Sequence, residues 1–302
     1  MTNIQAAFSA AGNWYRGNVH THSTASDGKR TPAEAAQFYR QNGYDFVALT
    51  DHLIYADVSG LNRDGFLVIP GIEIHGDDPA SHTYHIVGLG GDMEPAQQLD
   101  ELNSFAGDLS RLRSHGALAI LAHPYWSGQL SRDLMANDGA IGVEVYNGVA
   151  DVGYMKGFSN THWDDLLAAG RRIWGLAVDD AHWLPWRNDS ALGWLVAKAS
   201  ELTVPAVLEA LRLGRFYAST GPSIHDFRVE GDDVIIASSP AMTIAAMGDR
   251  WLNNAARSAT GMGITQARFK LWEGQTYVRA EIVDRDGKRA WSQPIFLMEP
   301  TL

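Results

Sequence analysis

Nine side chains able to bind a metal ion lie between positions 20 and 182 of this 302-residue chain, each where a β-strand is predicted to end. They are His20 and His22 in NVHTHS, Asp27 in SDG, His52 in ALTDH, Glu73 in GIE, His85 in HIVG, His123 in LAHP, and Asp180 with His182 in VDDAH. Strands that lie parallel bring their ends to one rim, so residues far apart in sequence can meet there. Imidazoles and carboxylates gathered at such a rim make a multinuclear site for divalent ions. Residues i and i+2 of an extended segment share a face, so His20 and His22 can aim at one ion, as can Asp180 and His182. Glu73 has two carboxylate oxygens and can bridge two cations. Neutral imidazoles donate nitrogen, and the acids supply the negative charge that holds several cations close together.

The chain has no cysteine, so any metal must be held by nitrogen and oxygen, with zinc, manganese or iron as candidates. Cations sharing Glu73 would lower the pKa of a water between them and deliver hydroxide near neutral pH. Glu73, Asp180 and His182 are therefore the expected catalytic set, with His182 a candidate proton donor to the leaving group. No serine or cysteine nucleophile is needed, and direct attack without a covalent intermediate is expected.

The elements that position these residues read as an alternation of short β-branched runs and helices over the first 221 residues. Strands are expected at Asn18–His22, Phe46–Thr50, Leu67–Ile69, Tyr84–Gly88, Leu118–Ala122, Val143–Tyr146, Ile173–Val178 and Trp194–Ala197. Thr31-Pro32-Ala33-Glu34 opens a helix with a capping box and proline at its first position. Leu99, Leu102, Phe105, Leu109 and Leu112 mark a core-facing helix over 98–115, and further helices are expected at Trp163–Ala169 and Val204–Leu213. Such alternation implies a mainly parallel sheet, open or closed into a barrel. After Gly221-Pro222 the segments become short and alternating, which predicts a small antiparallel β-domain over 222–302.

The formal net charge is −11. From position 222 onward there are nine basic and ten acidic residues, so ten of the eleven surplus negative charges precede it. A long nucleic acid would call for a basic stripe, so a small-molecule substrate is expected. No apolar run is long enough to span a membrane, and the first residues lack a signal-peptide pattern, which makes the cytoplasm the expected location.

The series HTH, SDG, TDH, GIE, HIVG, AHP and DAH resembles the PHP family of metal-dependent phosphoesterases, named for polymerase and histidinol phosphatase, over about 18–220. The resemblance implies a distorted (β/α)7 barrel with two or three divalent ions at its rim. It also implies a ligand assignment: His20, His22, Glu73 and Asp180 for one ion, Glu73, His85 and His123 for a second, and Asp27, His52 and His182 for a third. RGNVHTHSTASDG, GYDFVALTDH and the later GRFYASTGP resemble most the carbaryl-hydrolase-like branch, whose activity is on a carbamate ester.

Arg16, Arg187 and Arg215 are candidates to bind a phosphate or carbonyl, while Lys29 and Arg30 are expected outside the pocket. Tyr125 with Trp126, Tyr146, Trp183 and Trp186 could wall a flat leaving group or pack against the β-domain. Asp51 and Asp179 are candidates to orient imidazoles, and Glu144 points to the same rim. His82 could replace His85 as a ligand; His75, His115, His162 and His225 have no register with the others. A phosphoesterase for small esters is the leading reading. A carbamate, ester or amide hydrolase, a nuclease for short oligonucleotides, and a non-catalytic binding module are its competitors.

Overall fold

A computed structural model describes residues 7–80, 82–92 and 104–298. Its first part runs β1 (Asn13–Asn18), α1 (Pro32–Gln41), β2 (Phe46–Leu49), β3 (Leu67–Asp78), β4 (His82–Leu89), α2 (Phe105–Ser114), β5 (Leu118–Leu121), α3 (Pro124–Ser127), α4 (Ser131–Met135) and β6 (Gly142–Asn147). It continues through α5 (Gly148–Tyr154), α6 (Asn160–Ala168), β7 (Trp174–Val178), β8 (Trp194–Ala199), α7 (Val204–Arg212) and β9 (Phe216–Ser219). The C-terminal part is all strand: β10 (Ile224–Glu230), β11 (Asp233–Ala241), β12 (Thr243–Met247), β13 (Asn254–Arg257), β14 (Ile264–Lys270), β15 (Tyr277–Val283), β16 (Arg289–Ser292) and β17 (Ile295–Phe296). No helix among the described residues is long and apolar enough to cross a membrane.

Local chemistry explains where these elements start. The Thr31 side chain accepts from the Glu34 amide and Glu34 reaches back, so the capping box forms and α1 begins at Pro32. Ser104 and Thr203 cap α2 and α7 by accepting from the amides of Gly107 and Ala206, without the reciprocal bond. Leu99 and Leu102, expected in the helix that became α2, lie outside the described residues. Both faces of β2 are buried: Phe46 and Ala48 join the main core, while Val47 and Leu49 pack under Ala35, Ala36 and Tyr39 of α1. That is the period-two signature of a strand covered by a helix.

The strands β1 to β7 are hydrogen-bonded in sequence order. Pairing is parallel at β1–β2–β3 and β5–β6–β7, but β4 runs against both of its neighbours. The sequence reading expects β3 to stop before Glu73. Instead β3 continues to Asp78 and returns as β4 through a connection too short for a parallel crossover, so the pair is a hairpin. Glu73 therefore sits within a strand, opposite Val87, and His75 sits opposite His85. At the other edge the row curls back on itself. The Asp180 amide donates to the His20 carbonyl (2.9 Å) and the His22 amide to the Ala181 carbonyl (3.0 Å), joining the ends of β7 and β1 at the mouth.

The transition near 221 separates two cores without separating two sheets. β9 pairs with β16, so the large sheet runs on through β16, β15, β12 and β13. Phe216 and Ala218 of β9 face the main core, whereas Tyr217 faces a second core with Ile224, Phe227, Ile236, Ile244 and Ile282. This second core lies between the end of the large sheet and the three-stranded sheet β10–β11–β14. Buried Arg279 of β15 fastens the two parts together. It bonds Asp164 of α6 (2.8 and 3.0 Å) and Glu281 (2.9 Å), with its guanidinium 4.7 Å from the Trp163 ring centre. Arg279→Ala leaves Asp164, 35% exposed, without its cation and Glu281 with Arg289 alone, and is expected to cost about 1.5–3 kcal/mol in denaturant unfolding. A loss under ~1 kcal/mol would show that the junction does not depend on this contact.

Candidate metal centre

All nine expected ligands converge on one mouth, around Glu73. The two oxygens of Glu73 face different partners: Oε2 lies 3.2 Å from His20 Nε2, His22 Nε2 and His52 Nδ1, while Oε1 lies 2.8 Å from His85 Nδ1 and 3.2 Å from His123 Nε2. Asp180 Oδ1 stands 3.3 Å from His20 Nε2 and 3.0 Å from His22 Nε2, and those two nitrogens are 3.2 Å apart. Four donors bonded tetrahedrally to one ion at about 2.0–2.1 Å are separated by edges of about 3.3 Å. The group His20, His22, Glu73 and Asp180 has that spacing.

Two more donor groups adjoin the first. One is His52, Glu73 and His85; the other is His22, Asp27, His52 and His182, in which His182 Nε2 is 3.3 Å from Asp27 Oδ2. His52 thus belongs to both groups rather than to the Asp27 group alone, and His123 approaches the site through Glu73 Oε1. Buried Asp180 Oδ1 makes no well-aligned hydrogen bond despite its 3.0 Å approach to His22 Nε2, and buried His22 Nδ1 makes none either. Unsatisfied buried acceptors are rare, and a cation would satisfy Asp180 Oδ1. Donor type, spacing and orphaned atoms all fit divalent ions.

The surrounding charges act in the same sense. Burial alone would lower the pKa of His22, yet Asp180 and Glu73 lift it from 6.5 to about 10. Burial lowers His52 to about 3 against the pull of Glu73, with His22 and His85 adding to the drop. Burial would raise the Glu73 carboxyl, but the imidazoles of His20, His85 and His52 hold it well below its ordinary value. Without metal, protons on some imidazoles neutralise the buried acids; a divalent ion supplies that charge instead.

Supporting residues explain how the donors are aimed. Glu144 of β6 is fully buried; its Oε1 accepts a hydrogen bond from His20 Nδ1 at 2.6 Å, which turns Nε2 toward the site. Its Oε2 accepts from the His123 amide (2.8 Å) and from Asn147 Nδ2 (2.9 Å), which is also 3.2 Å from Asp180 Oδ2. Glu144 is therefore the orienting acid. Asp51 and Asp179 hold backbone instead of imidazoles. Asp51 accepts from the amides and hydroxyls of Ser23 and Ser26, and Asp179 accepts from the amides of Ala191, Leu192 and Gly193 and from the Tyr39 hydroxyl. Gly28 is dictated by space, since a Cβ there would meet the His22 carbonyl carbon at 2.7 Å. Leu53, His123, Asp180 and Trp183, all at the mouth, have left-handed backbone conformations, which non-glycine residues avoid unless the surroundings enforce them.

A cavity of about 390 Å3 opens over the donors. Its walls include Trp126, Val149, Tyr154 and Leu184, and two cations, Lys29 and Arg187, reach it. Arg187 is tied to Asp189 (3.3 Å). Lys29 lines the cavity although the sequence reading puts it outside, because its amide bonds the His182 carbonyl (2.9 Å). Arg16 and Arg215 are not in the cavity wall. Arg16, within β1, is stacked between Tyr44 (4.2 Å) and Trp194 (3.9 Å), and Arg215 follows α7 at the far end of the sheet. Trp183 turns away to bond the His22 carbonyl through Nε1 (2.9 Å) and to pack on Phe38 and Tyr39. Tyr125 is exposed beside Lys156, and its neighbour Trp126 takes the wall position, edge-on to His123 and His85. His75, which lacks the strand-end register, has Nδ1 3.2 Å from His52 Nδ1 and stacks on His85. Its i+2 spacing from Glu73 is the sequence signal that would have found it.

No protein-family model matches the chain. A 3',5'-nucleoside bisphosphate phosphatase of Chromobacterium violaceum is 36% identical over 106 residues, covering 33% of this chain and 36% of the relative. The chain thus matches about a third of that relative's length. A crystal structure of a two-domain protein containing a predicted PHP-like metal-dependent phosphoesterase, from Bacteroides vulgatus, superposes with a TM-score of 0.54 at 17% identity. It covers 94% of this chain and 96% of its own. The shared fold therefore spans both cores.

Two measurements test the site. Glu144→Gln is expected to weaken metal binding by about 10–100-fold in calorimetric titration, since His20 loses its orienting acceptor; unchanged affinity would remove Glu144 from that role. The His22 proton stabilises the metal-free fold fully below pH 6.5, and that contribution is lost as pH rises through about 10. The unfolding temperature of chelated protein should therefore fall across that window, while metal-loaded protein changes less. Parallel profiles would contradict the charge exchange.

Proposed function

We propose that this protein is a divalent-metal-dependent hydrolase of small phosphate esters, acting at a site for two or three ions. The observation that carries the reading is the shared carboxylate of Glu73, which touches five imidazoles on two sides beneath an open cavity that two cations line. His20, His22, Glu73 and Asp180 would hold one ion, Glu73, His85 and His123 a second, and Asp27, His52 and His182 a third. Bound ions supply Lewis acidity and lower the pKa of water at the site. The chain's own residues do the rest. Arg187 and Lys29 would offset phosphate charge, and His182, where two ions are bound and it holds neither, would protonate the leaving oxygen. The name of the matched Chromobacterium relative supports a phosphate monoester over other bonds. No described residue beyond 221 lines the cavity.

A carbamate or carboxylic ester hydrolase is the second reading, and the apolar wall of Trp126, Val149, Tyr154 and Leu184 favours it, because it suits a flat neutral leaving group. Chelated protein reloaded with zinc, manganese or iron is assayed on nitrophenyl phosphate, 3',5'-nucleoside bisphosphates and naphthyl carbamates. Turnover of the phosphates, lowered at least about a thousandfold in Glu73→Ala, is expected. Turnover of carbamates alone would replace the first reading with the second, and full activity in Glu73→Ala would remove both.

A further inference from the structure

The second core carries a feature that the metal centre does not use. Trp251 and Trp272 are 72% and 42% exposed, with ring centres 5.8 Å apart and planes at 65°. They stand in a cavity of about 480 Å3 with Arg250, Glu273 and Thr276. Large exposed aromatic surface is costly in water, and a concave site with aromatic walls and a few polar groups is the form that ligand pockets take.

The platform under these rings is built. Trp251 lies on the turn between β12 and β13, and Trp272 on the turn between β14 and β15. Asp249 braces one turn to the other, its carboxylate accepting from the amide (2.6 Å) and hydroxyl (2.5 Å) of Thr276. Gln275 ties the second turn down by accepting from the Trp272 amide and donating to the Tyr277 carbonyl. Arg250 has a left-handed backbone conformation, φ 54°, which turns it out beside Trp251. Turns braced this way lose little backbone freedom when a ligand arrives.

Ala168, at the C-terminal end of α6, closes one side of this cavity. The chain then enters β7, whose opposite end leads into Asp180. The tryptophans therefore lie away from the mouth, and a ligand here would leave the metal site open. Two indoles at 65° cannot sandwich one flat ring. A stable protein interface needs about 1,000 Å2 of complementary surface, whereas the apolar surface here is two rings among charged groups. A pyranose matches what is present: apolar C–H faces for the indoles and hydroxyls for Arg250 and Glu273.

We propose that Trp251 and Trp272 form a saccharide-binding platform that tethers the enzyme to a sugar chain through its second core. The test uses the full-length protein with cello-, xylo-, malto-, laminari- and chitohexaose, followed by calorimetry and tryptophan fluorescence. At least one hexasaccharide is expected to bind, with Trp251→Ala and Trp272→Ala each weakening it at least about tenfold and nitrophenyl phosphate turnover unchanged. No binding of any of the five at millimolar concentration would overturn the proposal. So would binding that survives both substitutions, or a dimer in sedimentation that Trp251→Ala dissolves.

Discussion

A carboxylate buried to 1% exposure among five imidazoles is the constraint around which this fold is arranged. Taking the charge of Glu73 out of water is costly unless positive charge comes with it. The chain brings that charge in the form of groups that can hold either a proton or a metal ion. The neighbours of Glu73 come from the ends of β1, β2 and β5 and from the β3–β4 hairpin, so the site cannot exist before the sheet has closed. The closure is itself backbone chemistry at the mouth, where the segments after β1 and β7 exchange hydrogen bonds beside His20, His22 and Asp180. Fold and site are one structural fact.

Around this centre the acids divide their work. Glu144 fixes which nitrogen of His20 faces Glu73 and Asp180, while Asp51 and Asp179 collect backbone amides so that the loops carrying the candidate ligands cannot drift. The left-handed residues at the mouth show the same economy: donors are aimed by bending the chain where the sheet stops. Rigid aim matters because donor positions set by packing need no rearrangement when cations arrive.

Much of this was legible from residue types. Most of the donors could be picked out because they follow an apolar run, Asp27 being the exception, and the α1 boundary because Thr31 and Glu34 form a capping box. The hairpin was not legible: β3 carries polar residues beyond Glu73, and nothing in its pattern says that β4 returns antiparallel. That is why His75 was passed over, although it stands against His52 and His85. Arg16 and Trp183 were misplaced for a related reason. Sequence gives their distance from a motif, but the side they face depends on strand register and on aromatic partners, Tyr44 and Trp194 for Arg16 and Phe38 for Trp183. The second core was visible as a change of rhythm near 221, whereas the pairing of β9 with β16, which keeps the sheet continuous, is a long-range contact that no local pattern encodes.

The central claim is that His20, His22, Glu73 and Asp180 enclose a cation. Anomalous diffraction from crystals grown with zinc or manganese, collected at the metal edge, tests it most directly. The account predicts a peak within bonding distance of all four residues, with Glu73 also reaching a second peak. A mouth without anomalous signal, its imidazoles turned apart, would contradict it.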